Sequence, residues 1–297
     1  MLDYKLLHAL SVVVDEQNFD KAASVLAITQ SAVSQRIKSL EHAIGQPVLI
    51  RSQPIVATHI GKKLLAHYQQ VKLLEQDIIP DLSGDKKNET ITANIASNAD
   101  SLATWLIPAI GDVCHEYNLA VNFRLADENR TINYLKDGEV FGALSTHAQA
   151  LPGCTLEKLG DMQYLLVASP GFISRYFPQG INVQALATAP AVAYDQKDDM
   201  HIKYIERIFG LKGGAYPCHT VRSSEAFVNF AKHGIAYCLI PKLQIQAELA
   251  SGELINLLPE HTIVRALYWH HWILLKGVFK AFSNAIILRA QHALSNQ

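Results

Sequence analysis

At 297 residues, 49% of them hydrophobic and 18% charged, the chain is long enough for two or three compact domains and too apolar to be disordered. It contains no unbroken apolar run of about twenty residues, which argues against a membrane-spanning helix and a membrane partner. A net charge of −1 argues against a uniformly basic nucleic-acid binder, so any such role must rest on a local excess of charge.

The start, Met1-Leu2-Asp3-Tyr4-Lys5, lacks the basic stretch, apolar run and cleavage site of a secretory signal, and a cytoplasmic address is expected. Cys114, Cys154, Cys218 and Cys238 are far apart with no Cys-x-x-Cys pair, so buried thiols without disulfides are expected.

Between Leu2 and Glu16, Leu2, Leu6, Leu10, Val13 and Val14 recur at helical spacing and predict a first helix. Asn18 and Phe19 interrupt it. Asp20 is expected to cap a short second helix through Leu26, in which Ala22 and Ala23 permit close helix approach. Ala27-Ile28-Thr29 turns the chain. Thr29 is expected to cap a third helix that ends at Gly45, a residue suited to a left-handed C-terminal cap. Its stripe of Val33, Ile37, Leu40 and Ile44 reads as buried, while Ser31, Ser34, Gln35 and Lys38 share the opposite side.

Such a face is ordinarily just solvated. Two further features favour DNA here. Five basic residues, Arg36, Lys38, Arg51, Lys62 and Lys63, meet one acid, Glu41, between Thr29 and Lys63, a local charge of +4. A short helix, a tight turn and a longer helix opening with Gln, Ser and Arg is also the geometry of a major-groove reader, in which Gln can pair with adenine and Arg with guanine. After Pro47, Val48–Arg51 and Ile55–Thr58 can form a small hairpin, a wing beside that helix.

The run Phe19-Asp20-Lys21-Ala22-Ala23, through Thr29-Gln30-Ser31-Ala32-Val33-Ser34-Gln35-Arg36-Ile37, to Leu40-Glu41 and Gly45 resembles the DNA-binding signature of the LysR-type transcriptional regulators. The resemblance implies that Thr29, Gln30, Ser31, Ser34, Gln35, Arg36 and Lys38 face double-stranded DNA and that Arg51 touches phosphate from the wing. The family's wing carries another basic residue shortly afterwards; Ser52-Gln53-Pro54-Ile55 supplies none.

Thr58 is expected to cap a long helix from His59, with Leu64, Val71 and Ile78 repeating every seven residues and Leu74 on the same stripe. The pattern alone suits packing on the helix's own domain as well as packing on a second copy. Resemblance implies a homodimer through this helix, assembled further to a tetramer, with RNA polymerase as a further partner. Pro80 is expected to close the helix, and Ser83-Gly84-Asp85-Lys86-Lys87-Asn88 reads as a polar hinge. The resulting division is a winged helix-turn-helix domain at 1–58, a linker helix and hinge at 59–89, and an effector domain at 90–297.

From Thr90, strand-like and helical runs alternate, which predicts an α/β domain. The strands are Thr90–Ala96, Val121–Ala126, Val140–Ser145, Tyr164–Ala168, Ala191–Tyr194, Ala236–Ile240 and Ala266–Trp272. Helices are expected from Ser101, Asn129 and Ser223 and over Gly277–Ser295. Resemblance implies a periplasmic-binding-protein-like pair of lobes, about 90–162 plus 266–297 and 163–265, with a cleft between them.

Ligands of open α/β sheets bind beyond the carboxyl ends of strands, where helix N-termini offer free N–H groups. Asn98, Asp100 and Ser101 fill one such turn and Ser223 and Ser224 another, although helix capping is the commoner work of these residue types. Asp127, Glu128, Ser145, Asp195, Asp198, Asp199 and Glu225 fall near other strand ends or helix starts, where acids can face a cation. Three segments, Asn98–Leu106, Asp198–His201 and Ser223–Val228, resemble the branch of the family that responds to arginine and lysine and controls basic amino-acid export. That resemblance implies L-arginine or L-lysine as effector, without a cofactor.

Enzymatic readings find little support. His270 and His271 are consecutive strand residues on opposite faces and suit one metal poorly. Cys114-His115 has no third partner, and no Gly-rich phosphate loop is present. Two alternatives stay open: a nucleoid-type DNA binder indifferent to small molecules, and an α/β ligand-binding or enzymatic domain with a helical appendage.

Overall fold

A computed structural model describes residues 2–82, 90–195 and 199–295. Helix α1 (Tyr4–Glu16) starts at Asp3, whose carboxylate accepts from the Lys5 N–H at 2.8 Å. Helix α2 (Phe19–Val25) is capped by Asn18, whose Oδ1 accepts from Asp20 N at 2.8 Å and Lys21 N at 3.0 Å. Asp20, expected as the cap, instead sits in the first turn, where its charge complements the helix dipole. Helix α3 (Gln30–Ile44) opens on Thr29, which accepts from Ala32 N at 3.2 Å. It closes on Gly45 at φ 75°, in the left-handed region open to glycine.

Strands β1 (Leu49–Ile50) and β2 (Val56–Ala57) pair antiparallel with Leu49 opposite Ala57, forming the wing. Helix α4 (His59–Leu82) follows, capped by Thr58 Oγ1 accepting from Gly61 N at 3.1 Å. The expected stop at Pro80 does not hold, because the helix runs on to Leu82. A proline this near a helix end removes only one late hydrogen bond. The hinge expected at 83–88 lies outside the described residues.

Leu7, Leu10, Val13, Val33, Ile37 and Leu40 form the core under these helices, and Leu64 of α4 joins it at 8% exposure. Leu64 therefore belongs to its own domain's core rather than to an open seam. Farther along α4, the half-buried Leu73 packs on the core of the following domain.

That domain is built on one seven-stranded sheet. In chain order its elements are β3 (Ile91–Ser97), α5 (Ala99–Ser101) continuing through a π-turn into α6 (Ile107–Glu116), β4 (Leu119–Leu125), α7 (Ile132–Lys136) and β5 (Gly142–Ser145). The long β6 (Cys154–Ala168), α8 (Pro170–Tyr176), α9 (Val183–Leu186), β7 (Ala191–Ala193), α10 (Asp199–Phe209), β8 (Cys218–Thr220) and α11 (Ser224–Lys232) follow. The chain ends through β9 (Cys238–Pro241), α12 (Gln246–Ser251), β10 (Ile255–Asn256), β11 (Ile263–Trp272) and α13 (Gly277–Ser295).

The order β10-β6-β11-β5-β3-β4 has β9 also paired to β6, while β7 and β8 make a separate parallel pair. Strands β6 and β11 pair antiparallel from Ile263 opposite Tyr164 to Trp272 opposite Cys154, so the lobe boundaries expected at 162/163 and 265/266 fall inside strands rather than loops. Their register shifts between Leu267 and Tyr268, beside Gly160 at φ 145°. The lobes therefore share a continuous hydrogen-bonded ladder bent at a bulge.

Helix α4 lies against the first lobe. Lys62 Nζ meets Asp137 Oδ2 at 2.5 Å, and a Cβ on Gly138 would fall 2.2 Å from Ala66 Cα. Only glycine fits this crossing at φ 74°. Of the four cysteines, Cys238 is buried and Cys218, contrary to the expectation of buried thiols, is exposed on the short edge strand β8.

Candidate functional site

The cleft between the lobes is lined by residues from both, including Asn98, Asp100, Asp127, Glu128, Tyr194 and Ser224. Asn98 caps the helical run after β3: its Oδ1 accepts from Ser101 N at 3.3 Å. Its buried Nδ2 has no partner among the described residues. Ser101 is fully buried beneath the lining, its hydroxyl likewise without a partner there, and it does not line the cleft.

Asp100 bridges the lobes. Tyr164 of β6 donates to its Oδ2 at 2.8 Å, and Ser224 at the start of α11 donates to its Oδ1 at 2.6 Å. The Ser224 hydroxyl also lies 2.8 Å from Gln244 Oε1. A second bridge joins Arg130, after β4, to Asp195, after β7, at 3.0 Å, with Arg222 at 3.7 Å. Asp195 is thereby committed to arginines of the chain itself.

Asp127 and Glu128 lie in the loop just after β4, on the first-lobe side. Asp127 Oδ1 accepts from the backbone and side-chain nitrogens of Asn129 at 2.9 and 3.0 Å. Glu128 is 5% exposed. Burial, then the neighbouring Asp127 and more weakly Asp100, push its carboxyl up to about 7, against the opposing charge of Arg265. Ser145, expected at the ligand, donates to the Glu128 carbonyl at 2.9 Å and accepts from His147 N at 3.2 Å. Its hydroxyl holds the loop that carries the acids.

The remaining expected residues are dispersed. Ser223 caps α11, accepting from Ala226 N at 3.2 Å and bonding Glu225 at 2.9 Å, and neither residue lines the cleft. The second-lobe turn reaches the cleft through Ser224 instead. Asp198 lies outside the described residues, as does the side chain of Asp199. Sequence reasoning missed Tyr164, Tyr194, His201 and Arg130. His201 is buried against Tyr216 and Tyr237, and burial pushes its imidazole down to about 4.

On the N-terminal domain, Thr29, Gln30, Ser31, Gln35 and Lys38 are exposed and Ser34 and Arg36 half-buried. Thr29 and Ser31 hydroxyls are 2.9 Å apart. At about 100° per residue, Ser31, Ser34, Gln35 and Lys38 share one face, and Arg36 falls roughly 150° round from its centre, beside the buried stripe. The Arg36 charge reaches His8 of α1, whose imidazole is lowered by burial and then by the Lys72 and Arg36 charges. Arg51 of the wing is exposed and 3.6 Å from Glu41, whose other oxygen accepts from Val48 N at 3.1 Å. Glu41 thus fixes the wing to the helix beside it.

His270 and His271 take opposite faces of β11, the first fully buried with its Nε2 2.7 Å from the His147 carbonyl oxygen. No helix among the described residues is long and apolar enough to cross a membrane.

Residues 4–62 match the bacterial regulatory helix-turn-helix protein, lysR family, and residues 89–275 match the LysR substrate binding domain. The chain is 52% identical over 293 residues to the HTH-type transcriptional regulator ArgP of Aeromonas salmonicida, covering 99% of this chain and 98% of that protein. It is 48% identical over 286 residues to the ArgP of Salmonella typhi, covering 96% and 95%. Its structure is similar to the crystal structure of ArgP from Mycobacterium tuberculosis, with TM-score 0.84, 32% identity and 98% of each chain covered. It is also similar to full-length LysG from Corynebacterium glutamicum with bound effector arginine, with TM-score 0.78, 32% identity and 98% and 99% covered. With both domain types matched and this likeness running end to end, the chain belongs to the LysR family of transcriptional regulators, DNA-binding proteins rather than enzymes.

Proposed function

We propose that a basic amino acid, L-arginine or L-lysine, occupies the interlobe cleft and controls DNA binding by this chain at genes of basic amino-acid export or metabolism. The observation that carries this reading is the gathering of Asp100, Asp127 and Glu128 on one cleft beside the start of a helix. An amino acid needs donors for its carboxylate, which the unpartnered Asn98 Nδ2 and the helix start can offer. A cationic side chain needs acceptors, which the acids can offer. The arginine bound to LysG supports the same reading.

In this reading residues 1–58 read DNA through Gln30, Ser31, Ser34, Gln35 and Lys38, residues 59–89 join two copies, and residues 90–297 bind effector. The half-buried Val71 and Leu74 of α4 support a homodimer, which pairs again to a tetramer and contacts RNA polymerase. Effector binding changes lobe closure, and with it the spacing of the DNA-binding pairs. It can do so only by its differential affinity for the two arrangements, typically about 1–3 kcal/mol. Footprinting on operator DNA with and without L-arginine tests this. A shifted or shortened footprint is expected, and an identical footprint at saturating arginine and lysine would refute it.

A further inference from the structure

Resting on that reading, we propose that Glu128 is the residue that selects the cationic side chain of the effector, and that it releases a proton to solvent as the cation binds. The regulator then senses basic amino acid and pH together.

The three cleft acids are not equivalent. Asp100 has both oxygens occupied, by Tyr164 and Ser224. Asp127 spends one oxygen on Asn129. Glu128 is more than nine-tenths buried and lines the cleft. Among the described residues no side chain donates to its carboxyl, and the only donor bearing on it is a backbone N–H of its own. An acceptor this deeply buried is costly to leave ionised without a partner. A guanidinium or ammonium brought into the cleft supplies that partner, and Glu128 is the acceptor with most capacity left.

The groups facing Glu128 set its protonation in the empty cleft. Asp127 from its own loop and Asp100 from the start of α5 raise it, and the charge of Arg265 of β11 opposes them. Tyr164 of β6 faces it as a neutral phenol, raised by burial, then by Asp100 and Glu128. Tyr194 and His201 line the same cleft. The phenol of Tyr194 is raised, and buried His201 stays neutral near pH 7. With a carboxyl at about 7, roughly half the empty molecules carry the proton at pH 7. The effector keeps its own proton and charge; the carboxylic O–H of Glu128 gives its proton to water, leaving the carboxylate against the bound cation.

The test is calorimetry of the full chain with L-arginine at pH 7 in two buffers of different ionisation enthalpy, with a pH series and the variant Glu128→Gln. About half a proton should be released per arginine at pH 7, and affinity should be about tenfold weaker at pH 6 than at pH 8. Glu128→Gln should lose both effects and bind arginine at least about tenfold more weakly at pH 8. The carbonyl of residue 128, which Ser145 holds, is untouched by that change. Arginine binding whose heat is buffer-independent and whose affinity is flat with pH would overturn this inference while sparing the effector assignment, as would unchanged affinity in Glu128→Gln. If the folded wild type binds neither arginine nor lysine, both fall.

Discussion

The Asp100 carboxylate and the Ser224 hydroxyl meet at 2.6 Å across the cleft, although 124 residues separate them. A hydrogen bond to a charged group is worth about 1.5–3 kcal/mol, and this one joins the lobes directly. Ser224→Ala should lower the thermal midpoint and expand the protein in small-angle scattering, because it leaves Asp100 only the bond from Tyr164. An unchanged midpoint and radius of gyration would show that this bond does not hold the lobes together.

The two neighbouring residues of α3 should behave differently on DNA. Gln35 is exposed on the polar face, and Gln35→Ala should cost about 1–3 kcal/mol on operator DNA with little effect on scrambled DNA. Arg36 lies off that face and reaches His8 only through its charge, so Arg36→Ala should weaken both DNAs alike. Binding assays at one fixed salt concentration separate these outcomes.

Substitutions along α4 should divide by position. Leu64 is in the core of the N-terminal domain, so Leu64→Ala should cost about 2–5 kcal/mol of that domain's stability in urea unfolding. Val71 is half-buried. Val71→Asp should leave the domain folded while shifting the protein to monomer in analytical ultracentrifugation.

What was legible in the sequence is what local chemistry decides. Thr29, Thr58 and Ser223 cap helices within three residues of themselves, and Gly45 ends one, so residue type and position were enough. The reach of β6 was not legible. Its first half carries Glu157, Lys158 and Asp161 among half-buried positions, a pattern that reads as a loop until β11 is seen paired beside it. The cleft was half legible. Asp100, Asp127, Glu128 and Ser224 stand at strand ends and helix starts, as the fold requires. The Tyr164 contact and the Arg130–Asp195 bridge depend on lobe apposition, which no short window of sequence encodes.

Acid should destabilise the protein partly through His201. Burial lowers its imidazole to about 4 from the ordinary 6.5, so between these values the unfolded chain takes up a proton that the folded chain refuses. Its contribution is intact above about 6.5 and is lost as pH falls towards 4, a loss of up to about 3 kcal/mol. His201→Phe, which keeps a ring against Tyr216 and Tyr237, should flatten the acid limb of a stability profile taken by urea unfolding between pH 4 and 8. An acid limb as steep as that of the wild type would remove His201 from this role.

Selective binding of a basic amino acid in the interlobe cleft is tested most directly by titrating the full chain with L-arginine, L-lysine and norleucine in a calorimeter. Norleucine carries the same α-amino and α-carboxyl groups without a side-chain cation, so it isolates the contribution of the acids. Saturable binding of arginine and lysine, with about 2.7 kcal/mol of added stability at a hundred times the dissociation constant and none from norleucine, is the expected result. Norleucine binding as tightly as arginine, or no heat with either basic amino acid from a folded protein that still binds DNA, would contradict it.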